Sequence, residues 1–189
     1  MKLKLFLIAA LFLSVSAFSQ TKNNLSVYWA TVSDFMDSHS AIGDFGYDGN
    51  GGTKFGINYE LGFSRHWSIQ TGLQYTDDKL TLNTIGPFHT TRADEIKFVT
   101  VPIVAKVTFW NVLFFDGGIL ADFETSNNST NHQSGIGYEI GAGLQYHFGR
   151  LQLYVNPYAQ YHRVFGFSKS GSNFNLIDGG WKFGLGYNF

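Results

Sequence analysis

Cysteine is absent from this 189-residue chain, proline occurs three times, and charged residues make up only 14%. Without cysteine there is no disulfide framework, no thiolate metal site and no lipid-anchored amino-terminal cysteine. Charge is scarce in both signs, with Lys and Arg at 13, Asp and Glu at 14 and a formal net charge of −1. A soluble domain carries about 25% charged residues, so this chain has too few to coat a water-facing surface in the usual way. There is no basic excess and no Lys/Arg cluster to neutralise phosphates, which excludes nucleic acid as a partner. Beyond the amino terminus no run is long and apolar enough for a membrane-spanning helix, and a 3.6-residue period is hard to find. The chain is instead rich in aromatic residues, at 17%, and in glycine, at 22 residues.

Lys2 and Lys4 precede the apolar run Leu5 to Leu13, and small residues follow. This is the three-part layout of a secretory signal, and the run is too short for the roughly 20 residues of a spanning helix. Cleavage is expected after Ala17 or, preferably, after Ser19, which makes residues 1–19 a signal peptide and residues 20–189 one mildly acidic domain.

The recurring pattern has period two. Phe55, Ile57, Tyr59, Leu61 and Phe63 alternate with Gly56, Asn58, Glu60 and Gly62, and Trp67 to Tyr75, Ile136 to Phe148 and Trp181 to Phe189 repeat the arrangement. Such alternation puts the large apolar set on one face of a strand. Weaker versions at Leu25 to Ser33, Ile96 to Phe109, Val112 to Phe123 and Leu151 to Phe165 bring the expected strands to eight. Their connections alternate between tight turns at Ser64-Arg65-His66, Trp110-Asn111 and Gly149-Arg150 and long polar loops. The loops run near Asp34 to Gly52, Asp77 to Asp94, Glu124 to Ser134 and Ser168 to Gly179. Short periplasmic turns, long extracellular loops and an even strand number describe an outer-membrane barrel. The expected fold is all-β: an eight-stranded antiparallel up-and-down transmembrane β-barrel, preceded by a cleaved signal peptide.

A soluble ligand-carrying barrel would alternate too, with its apolar face inward. Here the polar positions are Gly, Asn, Gln, Ser and scattered single charges, which suit a crowded lumen better than a surface in water. Aromatic residues gather at both strand ends: Phe63, Trp67, Phe109, Phe148, Tyr187 and Phe189 toward the turns, and Phe55, Tyr75, Phe123, Tyr138 and Trp181 toward the loops. Two interfacial girdles require that placement. Pro102 and Pro157 each remove a ladder donor within an expected strand, so a bulge or a rim position is expected at each.

The closing stretch KFGLGYNF places Lys182, Gly184, Tyr187 and Phe189 in a polar-x-Gly-x-x-aromatic-x-aromatic pattern. It resembles the assembly signal that the outer-membrane insertion machinery reads on the last strand of bacterial barrels. GINYELGFSRHWSIQTGLQY, FVTVPIVAKVTF and GAGLQYHF resemble the small outer-membrane β-barrel family of Bacteroidetes, of the PorT-like or porin kind, from about Thr53 to Phe189. The first strand, VYWATVSDF, departs from the family's glycine-rich pattern. The resemblance implies fold and location and no single activity, since members range from secretion-system components to barrels without an assigned role.

With the large residues facing lipid, the lumen is expected to hold Glu60, Lys106, Asp116, Asp122, Glu139, His147, His162 and Lys182. Eight strands leave an interior just wide enough for side chains to fill, so these charges are expected to pair and plug it. A narrow porin-like path for protons or ions is the alternative. A lipid A-modifying enzyme comes third: His132-Gln133-Ser134 with Glu139 is the local match to the His-x-Ser pair and carboxylate of the lipid A deacylases. Gly135 stands where that family has Asn, and Glu139 should point into the lumen, so no catalytic residues are assigned.

Asp48-Gly49-Asn50-Gly51-Gly52 lacks the bidentate Glu of a calcium loop, because Tyr59 holds that position. The six histidines never fall at metal-ligand spacing. No metal and no cofactor is therefore expected. The expected surroundings and partners are outer-membrane lipid and lipopolysaccharide, the barrel insertion machinery, and a surface or secretion-system partner docking on the long loops.

Overall fold

The computed structural model describes residues 23–37, 45–49, 51–84, 91–125, 134–166 and 175–189. The segment read as a signal peptide lies outside them, as do His132 and Gln133. Nine strands appear in chain order: β1 (Asn24–Asp37), β2 (Phe45–Gly49), β3 (Gly52–Gly62), β4 (Trp67–Thr84), β5 (Thr91–Phe109), β6 (Leu113–Glu124), β7 (Gly135–Phe148), β8 (Leu151–Gly166) and β9 (Asn175–Asn188). Eight of them form one antiparallel sheet that closes on itself: β1 pairs with both β3 and β9, and β4 pairs with both β3 and β5. Closure leaves no edge, which hydrocarbon demands, since an unpaired backbone group there costs several kcal/mol.

The outer face follows the period-two pattern. Leu25, Val27 and Trp29 on β1, Phe55 and Ile57 on β3, Leu73 on β4 and Phe183 and Leu185 on β9 all point outward and are about half exposed. Every aromatic residue assigned to the two girdles is also on this outer face, from Phe63 and Trp67 near the turns to Tyr138 and Trp181 near the loops. Asn24 stands opposite Asn188, and the Asn23 and Phe189 backbones exchange hydrogen bonds, so both ends of the barrel chain meet at the turn end. In an outer-membrane barrel that end is periplasmic.

At one turn, Trp110 and Asn111 have φ of 51° and 59°, and the Val112 N–H donates to Phe109 O at 3.1 Å. Two left-handed residues in a two-residue hairpin match the right-handed twist of the strands they join.

Three expectations need correction. The segments expected as long loops are partly strand: β4 and β5 keep pairing up to Asn83 opposite Thr91, and β1 and β9 up to Asp37 opposite Asn175. Second, the glycine-rich stretch expected as a flexible loop contains β2, which pairs with β4 just beyond β3. Gly49 opposes Leu80 and Thr53 opposes Asp77, a register offset of one residue, and Gly51 has φ +74°. Thus β2 and β3 are one strand with a glycine bulge, which Gly allows because it has no Cβ to clash in the left-handed region.

Third, neither proline makes a bulge or sits at a rim. Pro102 faces Leu120, and Pro157 faces Trp181, each in unbroken register. Each gap falls only on the other side, toward β4 or β7, where the missing N–H would have donated. Besides the glycine bulge, a register shift lies between Ile136 and Tyr138.

Candidate functional site: the barrel interior

Inward positions of all eight barrel strands converge on one axis, where they form three clusters along it. Nearest the turns, Glu60 on β3 accepts from Ser68 Oγ at 2.6 Å, Gln70 Nε2 at 2.9 Å and Lys106 Nζ at 3.0 Å. Midway, Lys182 on β9 pairs with Glu139 on β7, while Asn156 Nδ2 donates to Asp116 Oδ2 at 2.7 Å. The Lys182 ammonium also lies over the Tyr158 ring, 4.6 Å from its centroid. An ammonium held over an aromatic face gains from the ring quadrupole in a site with little water.

Toward the loops, Lys54 on β3 donates to both oxygens of Asp178 on β9 at 2.7 Å and to Gln160 on β8. His162 sits between two carboxylates, with Nδ1 2.9 Å from Asp122 and Nε2 2.7 Å from Asp178. Thr100 Oγ1 donates to Asp122 at 2.7 Å, and the Phe98 ring stands edge-on to His162 at 4.9 Å. Gln160 joins this cluster to the middle one by donating to Glu139 and exchanging amide bonds of 3.3 Å with Gln74. Large side chains fill further inward positions, among them Tyr28, Val104, Phe114, Leu120 and Tyr158.

Two glycines let these rings lie flat. A Cβ on Gly56 would overlap the Tyr28 ring and one on Gly184 the Tyr154 ring. Each tyrosine therefore covers a neighbouring strand's glycine, the arrangement by which an aromatic residue makes up for a weak glycine position in a sheet.

At the turn end the interior opens into a vestibule of about 510 Å³ lined by Asn24, Arg65, His66, His147, Gln152 and Asn188. Its inner limit is Glu60. A larger hollow of about 890 Å³ follows Val27, Trp29, Leu153 and Phe183 along the apolar outer wall, where lipid is the solvent.

The same closed architecture recurs among known proteins. Residues 5–189 match the outer membrane protein beta-barrel domain. The chain belongs to that family. OprG from Pseudomonas aeruginosa is similar in structure, with a TM-score of 0.59 and 16% identity over 89% of this chain and 95% of that one. Ail, the attachment invasion locus protein of Yersinia pestis, is similar with a TM-score of 0.50 and 15% identity over 89% and 98%. Likeness at this level of identity carries the fold. No curated protein sequence matches the chain. The protein is an integral β-barrel of the outer membrane.

Within this barrel, seven of the eight lumen residues read from the sequence lie inside: Glu60, Lys106, Asp116, Asp122, Glu139, His162 and Lys182. His147 keeps the inward parity but stands exposed at the vestibule mouth. In the closing segment, Lys182 is the ion partner of Glu139, Gly184 lies under Tyr154, the Tyr187 hydroxyl accepts from Arg150 at 3.1 Å, and Phe189 is exposed. Sequence reasoning missed Lys54 and Asp178, both fully buried, and Gln160 between the clusters. Ser134 Oγ accepts from the Glu124 backbone N–H at 3.0 Å, and Glu139 is engaged by Lys182 and Gln160.

Proposed function

We propose that this protein is a plugged, non-enzymatic outer-membrane barrel that holds an extended rim and its loops toward partners at the cell surface. The carrying observation is strand length. About 9–11 residues suffice for a strand to cross, whereas β4 has 18 and β5 has 19, and their pairing continues to Asn83 opposite Thr91 with β2 alongside. A rigid sheet that stands beyond the lipid is a platform for recognition, since binding residues are disproportionately carried on loops positioned by such scaffolds. The plug is supported by the paired charges of the three clusters.

A narrow porin-like channel is the competing reading, favoured by the vestibule that leads as far as Glu60. A lipid A-modifying activity is less favoured, because the carboxylate it would need is committed to Lys182. The reading further includes lipid and lipopolysaccharide as surroundings, insertion-machinery recognition of Lys182, Gly184, Tyr187 and Phe189, a surface or secretion-system partner, and kinship with the PorT-like barrels of Bacteroidetes.

Two measurements test it. Purified protein in a planar bilayer is expected to stay silent, and reproducible single-channel steps would replace the plug with the channel. Replacing residues 80–93 with a short Gly/Ser turn is expected to abolish cell-surface binding while the barrel still shifts on heating in detergent. Unchanged binding would sink the platform.

A further inference from the structure

The apolar hollow on the outer wall takes its shape from the register. Val155, Phe183, Trp29 and Phe55 stand opposite one another in turn on β8, β9, β1 and β3, and the Trp29 and Phe183 rings stack at 6.1 Å. The neighbouring row on the same face, Leu153, Leu185 and Val27, is aliphatic and shorter. A tall aromatic ridge beside a low aliphatic strip makes a groove, and both rows line it. Strands of such barrels tilt by about 35–45°, so a groove that crosses them climbs the wall obliquely, from Val112 beside a turn to Phe55 toward the loops. From β8 through β9 and β1 to β3 it spans about 14 Å at the usual strand spacing. One leaflet of hydrocarbon is about 15 Å thick, so this stretch has the length of one acyl chain.

A fixed positive charge stands at the groove's turn-side edge. Tyr187 is the next outward residue after Leu185 on β9, about 7 Å along the strand, and its hydroxyl accepts from Arg150 Nη1 at 3.1 Å. Arg150 lies exposed in the turn between β7 and β8, and this bond draws its guanidinium onto the outer wall. Among the described residues it has no carboxylate partner. Tyr187 takes one of the guanidinium's five N–H donors, and those left over include the fork that fits a phosphate. The turn end is periplasmic, which puts Arg150 at the level of that leaflet's headgroups.

We propose that this side of the barrel holds one phospholipid of the periplasmic leaflet, with its phosphate on the Arg150 guanidinium and one acyl chain in the strip of Leu153, Leu185 and Val27 against the Trp29 and Phe183 rings. Lipid wets the whole outer wall, but here two anchors lie one headgroup's reach apart. Arg65, the guanidinium of another turn, lines the vestibule instead and has no such groove beside it. An anionic lipid such as phosphatidylglycerol suits the site, because its headgroup has no ammonium to compete with Arg150 for the phosphate.

The test is native mass spectrometry of the full barrel chain in detergent micelles, titrated with phosphatidylglycerol. One lipid per chain, bound saturably and more tightly than phosphatidylcholine, is the expected result. Arg150→Gln changes an exposed turn residue and is expected to weaken binding about tenfold, the worth of one charge-assisted hydrogen bond, while Arg65→Gln leaves it unchanged. Leu185→Trp raises the strip to the height of the ridge and is expected to weaken binding too; should that variant lose its heat-dependent mobility, the two arginine variants carry the test. Equal binding by Arg150→Gln, or an equal loss in Arg65→Gln, overturns the proposal in favour of unspecific attraction to the turn rim. Displacement of the lipid by equimolar inorganic phosphate overturns it in favour of a free-phosphate site. A folded Leu185→Trp that binds like the parent refutes the chain's place in the strip, and a mass of two chains without lipid gives the groove to a second copy.

Discussion

Removing the Lys54 ammonium is the sharpest probe of the interior network. Lys54 and Asp178 are both fully buried and 124 residues apart in sequence, so their contact exists only in the closed barrel. Lys54→Met keeps the aliphatic stem and takes away both 2.7 Å bonds to Asp178 and the bond to Gln160. Truncating one partner of a buried ion pair costs about 3–5 kcal/mol, because the other charge is left uncompensated. Here Asp178 keeps His162 Nε2 at 2.7 Å, so the expected loss lies at the low end, about 3 kcal/mol. Lys54→Met with Asp178→Asn removes both charges, and the two changes should couple by about 1–3 kcal/mol. The assay is urea unfolding of protein refolded into lipid vesicles, read by tryptophan fluorescence, with the denaturant slope checked for constancy. A single variant within about 0.5 kcal/mol of the parent, or a double variant that is simply additive, would refute the claim that this pair is a structural strut of the lumen.

Ile57 sits at the middle of β3, faces lipid and pairs with Val27 and Leu73; Ile57→Lys should cost about 2–4 kcal/mol if that position lies near the bilayer midplane, measured by the same unfolding assay. Gly184→Ala pushes a methyl into the Tyr154 ring, so it should destabilise by about 1–3 kcal/mol and recover in part when Tyr154→Ala clears the space.

Strand parity carried most of this interior, and it failed where the strands were cut short. Lys54 has the same parity as Gly56, Asn58 and Glu60, yet it lies close to Gly51 and Gly52, which read as loop. Ending the strand at Phe55 hid it. Asp178 shares parity with Lys182, yet the polar run before Gly179 read as loop. Extending each alternation by a few residues would have placed both, and with them the cluster that includes His162. The interior of β1 was illegible for a different reason. Tyr28, Ala30 and Val32 point inward there, so large and apolar residues fall on both faces and the alternation is weak. Only the neighbouring glycines, Gly56 and Gly184, explain how Tyr28 and its counterpart Tyr154 fit.

That same packing bears on the closing segment, whose sequence pattern resembles a recognition signal. Lys182 is the ion partner of Glu139, Gly184 is the floor under Tyr154, and a Cβ on Gly186 would meet the Asn24 side chain. The polar and glycine positions of the pattern are therefore demanded from inside the barrel, by groups on β1, β7 and β8. The aromatic positions are demanded from outside, since Tyr187 and Phe189 face outward at the turn-end girdle. A last strand that satisfies both faces pairs β1 on one side and β8 on the other, which is the step that closes the sheet. A strand built for closure acquires the pattern from packing alone, and the recognition by insertion machinery that we propose for it would fall on the same few residues.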